Sequence, residues 1–335
     1  MVAFKGKGAM INKMEMITDQ PEISVIMCVY NTKEEYLREA IQSILNQTFK
    51  NYEFIIINDA SDIKTVEILK QYKDRRIKLI TNNKNVGLTA SLNIGLKHAI
   101  GKYIARMDSD DYSYENRFEK QYNYMEKHLK IDILGSWVNE NEKINFCGGI
   151  IPTEWRKVKM LFLNYGIVHS TAFIRKSFLE KNQLMYDENI KKAQDYKLWV
   201  DCFRKGATMN VYPEVLVKYR THEKQISKVC VGEQNQYMYL IKQDLITELA
   251  PDISEIEKKQ MIYPDKQILS KQELNRLFVN LEKQNCLRKL YSEKILHYEL
   301  IDYWKKIWGY YWHIEFGYFV YRIVKSIYKH WSVVF

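Results

Sequence analysis

Several chemistries are closed to this chain by what it lacks. Its five cysteines, Cys28, Cys147, Cys202, Cys230 and Cys286, are odd in number, widely scattered and never spaced as C-x-x-C. That is the pattern of reduced thiols in a cytosolic protein. No run of about 18 uncharged apolar residues occurs, so no transmembrane helix is expected. The first 20 residues carry Lys5, Lys7 and Lys13 but no apolar stretch, and no signal peptide is expected. Zinc-finger spacing, an RNA-recognition signature and a dense basic helix are also missing, so nucleic acid is not an expected partner. A dinucleotide-binding G-x-G-x-x-G turn should follow the first strand, but Tyr30-Asn-Thr-Lys-Glu-Glu35 stands there without a glycine. No G-x-x-x-x-G-K-[ST] loop occurs elsewhere, so any nucleotide is bound without a glycine cradle.

What is present is a chain of 335 residues with 46% hydrophobic content, enough for one large domain or two moderate ones. Lys plus Arg exceed Asp plus Glu by 51 to 41, a formal net charge of +10. Such an excess fits an anionic partner, whether a nucleotide, a membrane surface or an acidic glycan.

The most informative stretch is Lys102-Tyr-Ile-Ala-Arg-Met-Asp-Ser-Asp-Asp111, a short apolar run that ends in three carboxylates within four residues. Acids this close repel one another. A strand that delivers them at its carboxyl end is placed to hold a hard divalent ion such as Mg2+ or Mn2+, which takes carboxylates together with substrate phosphates. The competing reading is an acidic turn that caps the next helix.

Upstream, Ile23–Val29 is a nearly continuous apolar run, the mark of a strand buried on both faces. A helical period follows through Tyr36, Leu37, Ala40, Ile41, Ile44 and Leu45. Further strands are expected at 54–57, 77–80 and 103–107, with helices at about 62–72 and 88–100. Alternation at these lengths means βαβ units, a parallel sheet and right-handed crossovers. Ligands bind such sheets beyond the carboxyl ends of the strands. Tyr30-Asn31, Asn58-Asp59 and Asp108–Asp111 would therefore share one rim. Downstream, the pattern predicts a helix over 117–128, a strand over 131–138 and a polar loop over 139–153. Then come a helix over 155–163, a strand over 169–175, a helix opening at Ala193 and a strand and turn over 211–220.

Val25-Ile-Met-Cys-Val-Tyr-Asn31, Gln47-Thr-Phe49, Ile57-Asn-Asp-Ala-Ser-Asp62, Asn85-Val-Gly87, Leu92-Asn-Ile-Gly95 and Tyr103–Asp111 occur in the order found in the family 2 glycosyltransferases. The resemblance continues through His169, Gln194-Asp-Tyr196, Leu198-Trp199 and Tyr219-Arg-Thr-His222, covering about 21–227. It implies a GT-A fold: an α/β architecture with a central, mostly parallel sheet flanked by helices, and here a helical carboxyl-terminal extension. Asn93–Leu96, Ala105–Asp111 and Glu214–Arg220 are most similar to bacterial β-1,3-N-acetylglucosaminyltransferases that extend lipo-oligosaccharide or capsule chains. The resemblance thus implies an inverting, metal-dependent transferase that uses a UDP-sugar and Mn2+ or Mg2+. Its acceptor would be a glycan or lipid-linked oligosaccharide. UDP-N-acetylglucosamine is the expected donor, with UDP-galactose and UDP-N-acetylgalactosamine as alternatives.

The resemblance also assigns roles. Asp59 would accept from uracil N3–H, unless it caps the following helix, which Asp62 or Ser61 could equally do. Tyr30 would pack on the base face, or be a rim tyrosine of the core. Asn31 would shape the turn, and Asn85 falls at the donor. Asp110 is the first choice as metal ligand. Asp108 would contact the metal or the donor, and Asp111 would support the pair. Arg106 would reach a phosphate or brace the acids. Asp195 would be the catalytic base, within hydrogen-bond reach of the acceptor hydroxyl, or else a helix N-terminal acid favoured by the macrodipole. Where the family has Glu-Asp, this chain has Gln194-Asp195. His169 and His222 would line the donor pocket or be structural. The planar fork of Arg220 suits a diphosphate. Trp199 is read as core.

The expected organisation is a lead-in over 1–20, a catalytic domain over 21–230 and a helical extension over 231–335. Within 301–335, 13 of 35 residues are Trp, Tyr or Phe, with five Lys or Arg against two acids. Such a helix suits the membrane interface or packs back on the protein. A cytoplasmic protein, peripheral on the inner face of the membrane, follows from the first reading. Two rivals remain. A sugar nucleotidyltransferase would want a glycine-rich loop that is missing. A non-catalytic glycan-binding scaffold would have lost acids that are all present.

Overall fold

The computed structural model describes residues 20–140, 142–145, 151–163, 166–223, 225–263 and 268–308. The chain divides into two units, Met1–Ile150 with Ile167–Gln225, and Ile151–Gly166 with Ile226–Phe335.

The first unit runs β1 (Ile23–Val29), α1 (Glu34–Leu45), β2 (Tyr52–Asn58), α2 (Ile63–Gln71), β3 (Ile77–Thr81), α3 (Leu88–His98) and β4 (Tyr103–Asp108). Then come β5 (Tyr112–Ser113), α4 (Arg117–Lys127), β6 (Ile133–Glu140) and β7 (Lys143–Asn145). After the excursion into the second unit, a 3-10 turn (His169–Thr171) leads to β8 (Phe173–Arg175), α6 (Lys176–Lys181), α7 (Gln194–Arg204) and β9 (Met209–Tyr219). Among the described residues nine strands form one sheet in the order β3-β2-β1-β4-β8-β6-β9-β5, with β7 paired to β6. The β3-β2-β1-β4 half is parallel. β8 pairs antiparallel with both β4 and β6.

The apolar runs explain this half. β1 and β2 bury nearly every side chain because α1 and its neighbours cover both faces of the sheet. On α1, Leu37, Ala40, Ile41 and Ile44 recur at helical spacing and are fully buried. Glu34 and Glu35 lie in its first turn, where the macrodipole favours acids. Register places Val29 opposite Asn58 and Cys28 opposite Asp108. The carboxyl ends of β1, β2 and β4 therefore reach one rim, as the alternation predicts.

The shorter strands differ from expectation. The first half of 169–175 is a 3-10 turn closed by Thr171 N to Val168 O (2.9 Å) and Ala172 N to His169 O (3.1 Å). Thr171 Oγ1 donates to the same Val168 carbonyl at 2.8 Å, the local side-chain bonding that competes with a ladder. The 139–153 stretch, read as loop, contains β7, and the two-residue β5 was not anticipated.

The second unit comprises α5 (Thr153–Lys159), α8 (Ile226–Val229), α9 (Val231–Leu249), α10 (Glu255–Ile262), α11 (Lys271–Arg288) and α12 (Glu293–Trp308). Capping boxes at Ser254/Glu257 and Ser270/Glu273 start α10 and α11. Lys157 Nζ donates to Leu290 O (2.8 Å), and Lys159 pairs at 2.9 Å with buried Glu299. No helix of the described residues is long and apolar enough to cross a membrane. Of the aromatic 301–335 stretch, 301–308 ends α12 with Ile301, Tyr303 and Trp304 buried. Its remainder and residues 1–19 lie outside the described residues.

Gly101 marks the closest approach in the first unit. A Cβ there would stand 2.6 Å from Ser24 N and 2.7 Å from Ile23 C, both backbone atoms that cannot step aside. Gly101→Ala should destabilise the protein by about 1–3 kcal/mol, the ordinary range for overpacking, read as a lowered urea midpoint at constant slope.

Candidate active site

At the β2 end of the rim, Asp59 is 3% exposed and its carboxylate is already occupied. Oδ1 accepts from Asn82 Nδ2 (2.9 Å) and Val86 N (2.9 Å), and Oδ2 from Gly87 N (2.8 Å). Asp59 thus folds the 82–87 loop onto the sheet, with Asn85 exposed within it. The cap of α2 is Asp62, which accepts from Thr65 N at 2.8 Å. Asn31 sits in the left-handed region (φ 49°) and accepts from Asp62 N at 2.8 Å, joining the β1 and β2 turns. Tyr30 is 54% exposed beside them.

The acid turn after β4 stands on a buried cation. Arg106 is 2% exposed and ion-paired to Asp108. Burial works against the Arg106 charge, but Asp108 outweighs it and holds the guanidinium cationic. Asp108 itself is pushed up by burial and further by Asp110, with Arg106 pulling the other way. The Asp108 side chain keeps 31% exposure, so water tempers that push on one side. Asp111 is 1% exposed and accepts from Arg220 N at 2.9 Å. Its carboxyl is raised well above the usual range by burial and then by Asp108 and Asp110. Asp110 is partly buried and meets His222 Nε2 at 2.9 Å.

Around this turn the chain is pinned. Ser109 Oγ and Thr32 Oγ1 lie 2.7 Å apart. Buried Gln47 donates to Tyr114 O (2.9 Å) and Ser113 Oγ (3.1 Å) and accepts from Phe118 N (3.1 Å). Beneath, Arg117 is fully buried, donating from Nη2 to Arg106 O (2.9 Å) and from Nε to Gln121 (2.9 Å). Burial first, and then the Arg106 charge, lower its pKa to about 9. Arg220 pairs with Glu39 and lies over the Tyr36 ring at 4.8 Å, while the His222 ring is 5.4 Å from the same tyrosine.

Asp195 lies in the first turn of α7, where its carboxylate accepts from backbone N–H groups. Burial raises its pKa, those N–H groups and Arg106 oppose the rise, and Asp108 adds to it. The mutual influence puts Asp195 within electrostatic range of the acid turn. His169 is held neutral, its pKa lowered well below the usual value by burial and by Arg106. Its Nε2 is 2.7 Å from Tyr186 Oη. Trp199 is core, 1% exposed, and donates to Ile167 O at 3.0 Å.

Among the described residues no three His, Cys, Asp or Glu side chains form a ready metal cage. Any ion here would have to be held by Asp110 beside His222, with Asp108 in the same turn. That suits an ion completed by substrate phosphates and water. Arg106 Nε and Asn58 Nδ2 are buried without a hydrogen-bond partner among the described residues, leaving donors at the rim unfilled.

Residues 24–182 match the model of the Glycosyl transferase family 2. An uncharacterised glycosyltransferase of Haemophilus influenzae is 36% identical over 84% of this chain and 93% of its own length. Another, from Methanocaldococcus jannaschii, is 38% identical over 66% of this chain and 78% of its own. The chain is a family 2 glycosyltransferase. Its fold agrees with S. aureus TarS in complex with UDP-GlcNAc, at a TM-score of 0.57 and 20% identity over 85% of this chain and 81% of that one. It agrees also with the mannosyltransferase PcManGT of Pyrobaculum calidifontis in complex with GDP-Man and Mn2+, at 0.53 and 14% over 79% and 72%.

In this glycosyltransferase, sequence reading overlooked Thr32, Tyr36, Glu39, Arg117 and Tyr186, and took Gln47 only as part of a motif. Gln47 was the one with a usable signal: a polar residue directly after the buried face of α1.

Removing Arg106 would leave Asp108 without its counter-charge in a crevice. Arg106→Met should destabilise the protein by about 3 kcal/mol, the low end for breaking a buried pair, because Asp108 is partly wet. Denaturant unfolding of the variant checks this, with Asp108→Asn in the same background restoring part of the loss.

Proposed function

We propose that this glycosyltransferase moves N-acetylglucosamine from UDP-N-acetylglucosamine to a hydroxyl of a growing lipo-oligosaccharide or capsular glycan, with inversion and a divalent metal, Mn2+ or Mg2+. The observation that carries the reading is Asp59 and the Asp110–His222 pair at the carboxyl ends of β2 and β4, with Asp195 in electrostatic range of Asp108. The UDP-GlcNAc bound by its fold relative TarS supports the donor, and the Mn2+ of PcManGT supports the ion.

In this reading the unit Met1–Ile150 with Ile167–Gln225 performs the transfer. Tyr30, more than half exposed, packs on the base, and Asp59 takes its imide N–H. Asp110 and His222 would hold the metal, which would supply positive charge at the diphosphate. Asp108, braced by Arg106, orients the donor, while Asp111 keeps Arg220 at the mouth. Arg220 exchanges Glu39 for diphosphate oxygens, a match to its planar fork. Asp195 takes the proton from the acceptor hydroxyl as that oxygen attacks C1. Burial raises its pKa, which makes it a stronger base than an ordinary carboxylate.

The test is a panel of UDP-, GDP- and CMP-sugars with purified protein, in Mn2+ or EDTA. UDP-N-acetylglucosamine should be turned over only with metal, and Asp110→Ala should abolish that turnover. Preference for UDP-galactose or UDP-N-acetylgalactosamine would replace the donor, and no nucleotide binding would favour a scaffold.

The pH profile tests the base. A base must be ionised, so kcat should fall as pH drops through the raised Asp195 pKa, above where an unperturbed Asp would titrate. Asp195→Asn should lower kcat by about 10²–10⁴ and leave UDP affinity within a few-fold.

A further inference from the structure

α3 does more than fill the space beside the sheet. Asn93, 4% exposed, lies in its interior, where an asparagine has no helical advantage over alanine. Its side-chain amide offers one acceptor and two donors to the stretch before α7. Oδ1 accepts from Tyr186 N, and Nδ2 donates to Tyr186 O and to Glu188 Oε1, all at 2.9 Å. One turn earlier, Thr89 Oγ1 donates to Ile190 O at 3.1 Å.

The stretch so held, 182–193 between α6 and α7, contains neither helix nor strand, so no regular ladder fixes it. It carries Tyr186, whose hydroxyl meets His169, and it ends at Ala193, buried and left-handed at φ 60°. A left-handed non-glycine residue costs about 1–2 kcal/mol and persists where its surroundings over-determine it. Ala193 is the residue from which α7 starts, and Asp195 follows two positions later. α3 is also fastened at its other end, since Gly87 N and Val86 N donate to Asp59.

We propose that Asn93 is a positioning residue for the transfer step, which clamps the 186–193 segment and thereby sets where Asp195 stands. The proposal rests on Asp195 being the base. Asn93 touches neither donor nor acceptor in it. Its effect is geometric, and a displacement of about 1 Å in a reacting group lowers rate on the order of 10²-fold.

The experiment uses the full chain, with UDP release from the UDP-sugar that the wild type turns over in Mn2+ and UDP binding by calorimetry. Asn93→Ala should lower kcat about 10- to 100-fold with UDP affinity within about threefold. Glu188→Ala, which leaves both bonds to the Tyr186 backbone, should cost less than about threefold. In the Asp195→Asn background, Asn93→Ala should have almost no further effect on kcat, the non-additivity expected of residues that act through one another. Hydrogen exchange within 186–193 should speed up in Asn93→Ala while β1 and β4 stay protected. Asn93→Ser, which retains one hydrogen bond, serves if the alanine variant does not fold.

Unchanged kcat per folded molecule, an undiminished loss in the Asp195→Asn background, or unchanged exchange at 186–193 would each overturn the proposal. Full activity in Asp195→Asn alone would overturn the base assignment and this proposal with it. The exchange result would still report separately whether Asn93 clamps the segment.

Discussion

The arrangement of the rim depends on one buried pair, Arg106 with Asp108. Three carboxylates fall within four residues at the end of β4, and two charges about 4 Å apart interact by about 4 kcal/mol at the effective dielectric of a protein surface. Left alone, such a turn would splay or take up protons. Arg106 is inside the sheet two residues earlier on the same strand. It cannot move away, and its charge cannot be given up, so it fixes where the negative charge stays. The side-chain anchors supplied by Thr32 and Gln47, and the Arg220 amide bound by Asp111, then hold the backbone of the turn.

With the turn fixed, three chemically identical side chains have three environments. Asp108 is committed to Arg106. Asp111 is buried and disposed to keep its proton, and its work is to bind the Arg220 amide. Asp110 is partly exposed and set against an imidazole. Burial first, and then the same cation, keep His169 neutral, and that cation partly offsets the burial of Asp195. Arg117 lies one layer further in and is satisfied by carbonyls and Gln121 instead of by acids. The positive charge under the rim is therefore deeper than the single ion pair suggests.

How much of this the sequence discloses follows from the range of each interaction. β1, β2 and β4 were legible because a strand covered on both faces needs an unbroken apolar run, which is a local property. The acids at their ends were legible for the same reason, and their shared rim followed from parallel pairing. β5 and β7 were not, since two or three residues carry no period. The 169–171 turn read as strand because hydroxyl side chains bonding their own backbone look, in sequence, like any Ser-Thr pair. Partners were the least legible: Glu39 with Arg220 and Asn93 with Tyr186 are separated by 181 and 93 residues. Only the folded chain brings them together.

Fold and specificity also separate here. TarS in complex with UDP-GlcNAc and PcManGT in complex with GDP-Man share this fold while their ligands differ, so the fold by itself assigns no donor. The choice must lie in side chains at the rim, and Asp59 illustrates how little freedom they have. An ionised carboxylate has about four lone-pair sites, and three of those on Asp59 already bind Asn82, Val86 and Gly87. A base that donates to Asp59 must use what is left, in the direction the 82–87 loop leaves open. A substitution in that loop would re-aim the carboxylate without touching it. Under the proposed role of Asp59, loop shape and base recognition would be one property of this site, and α3, which begins where that loop ends, would carry the same constraint toward Asp195.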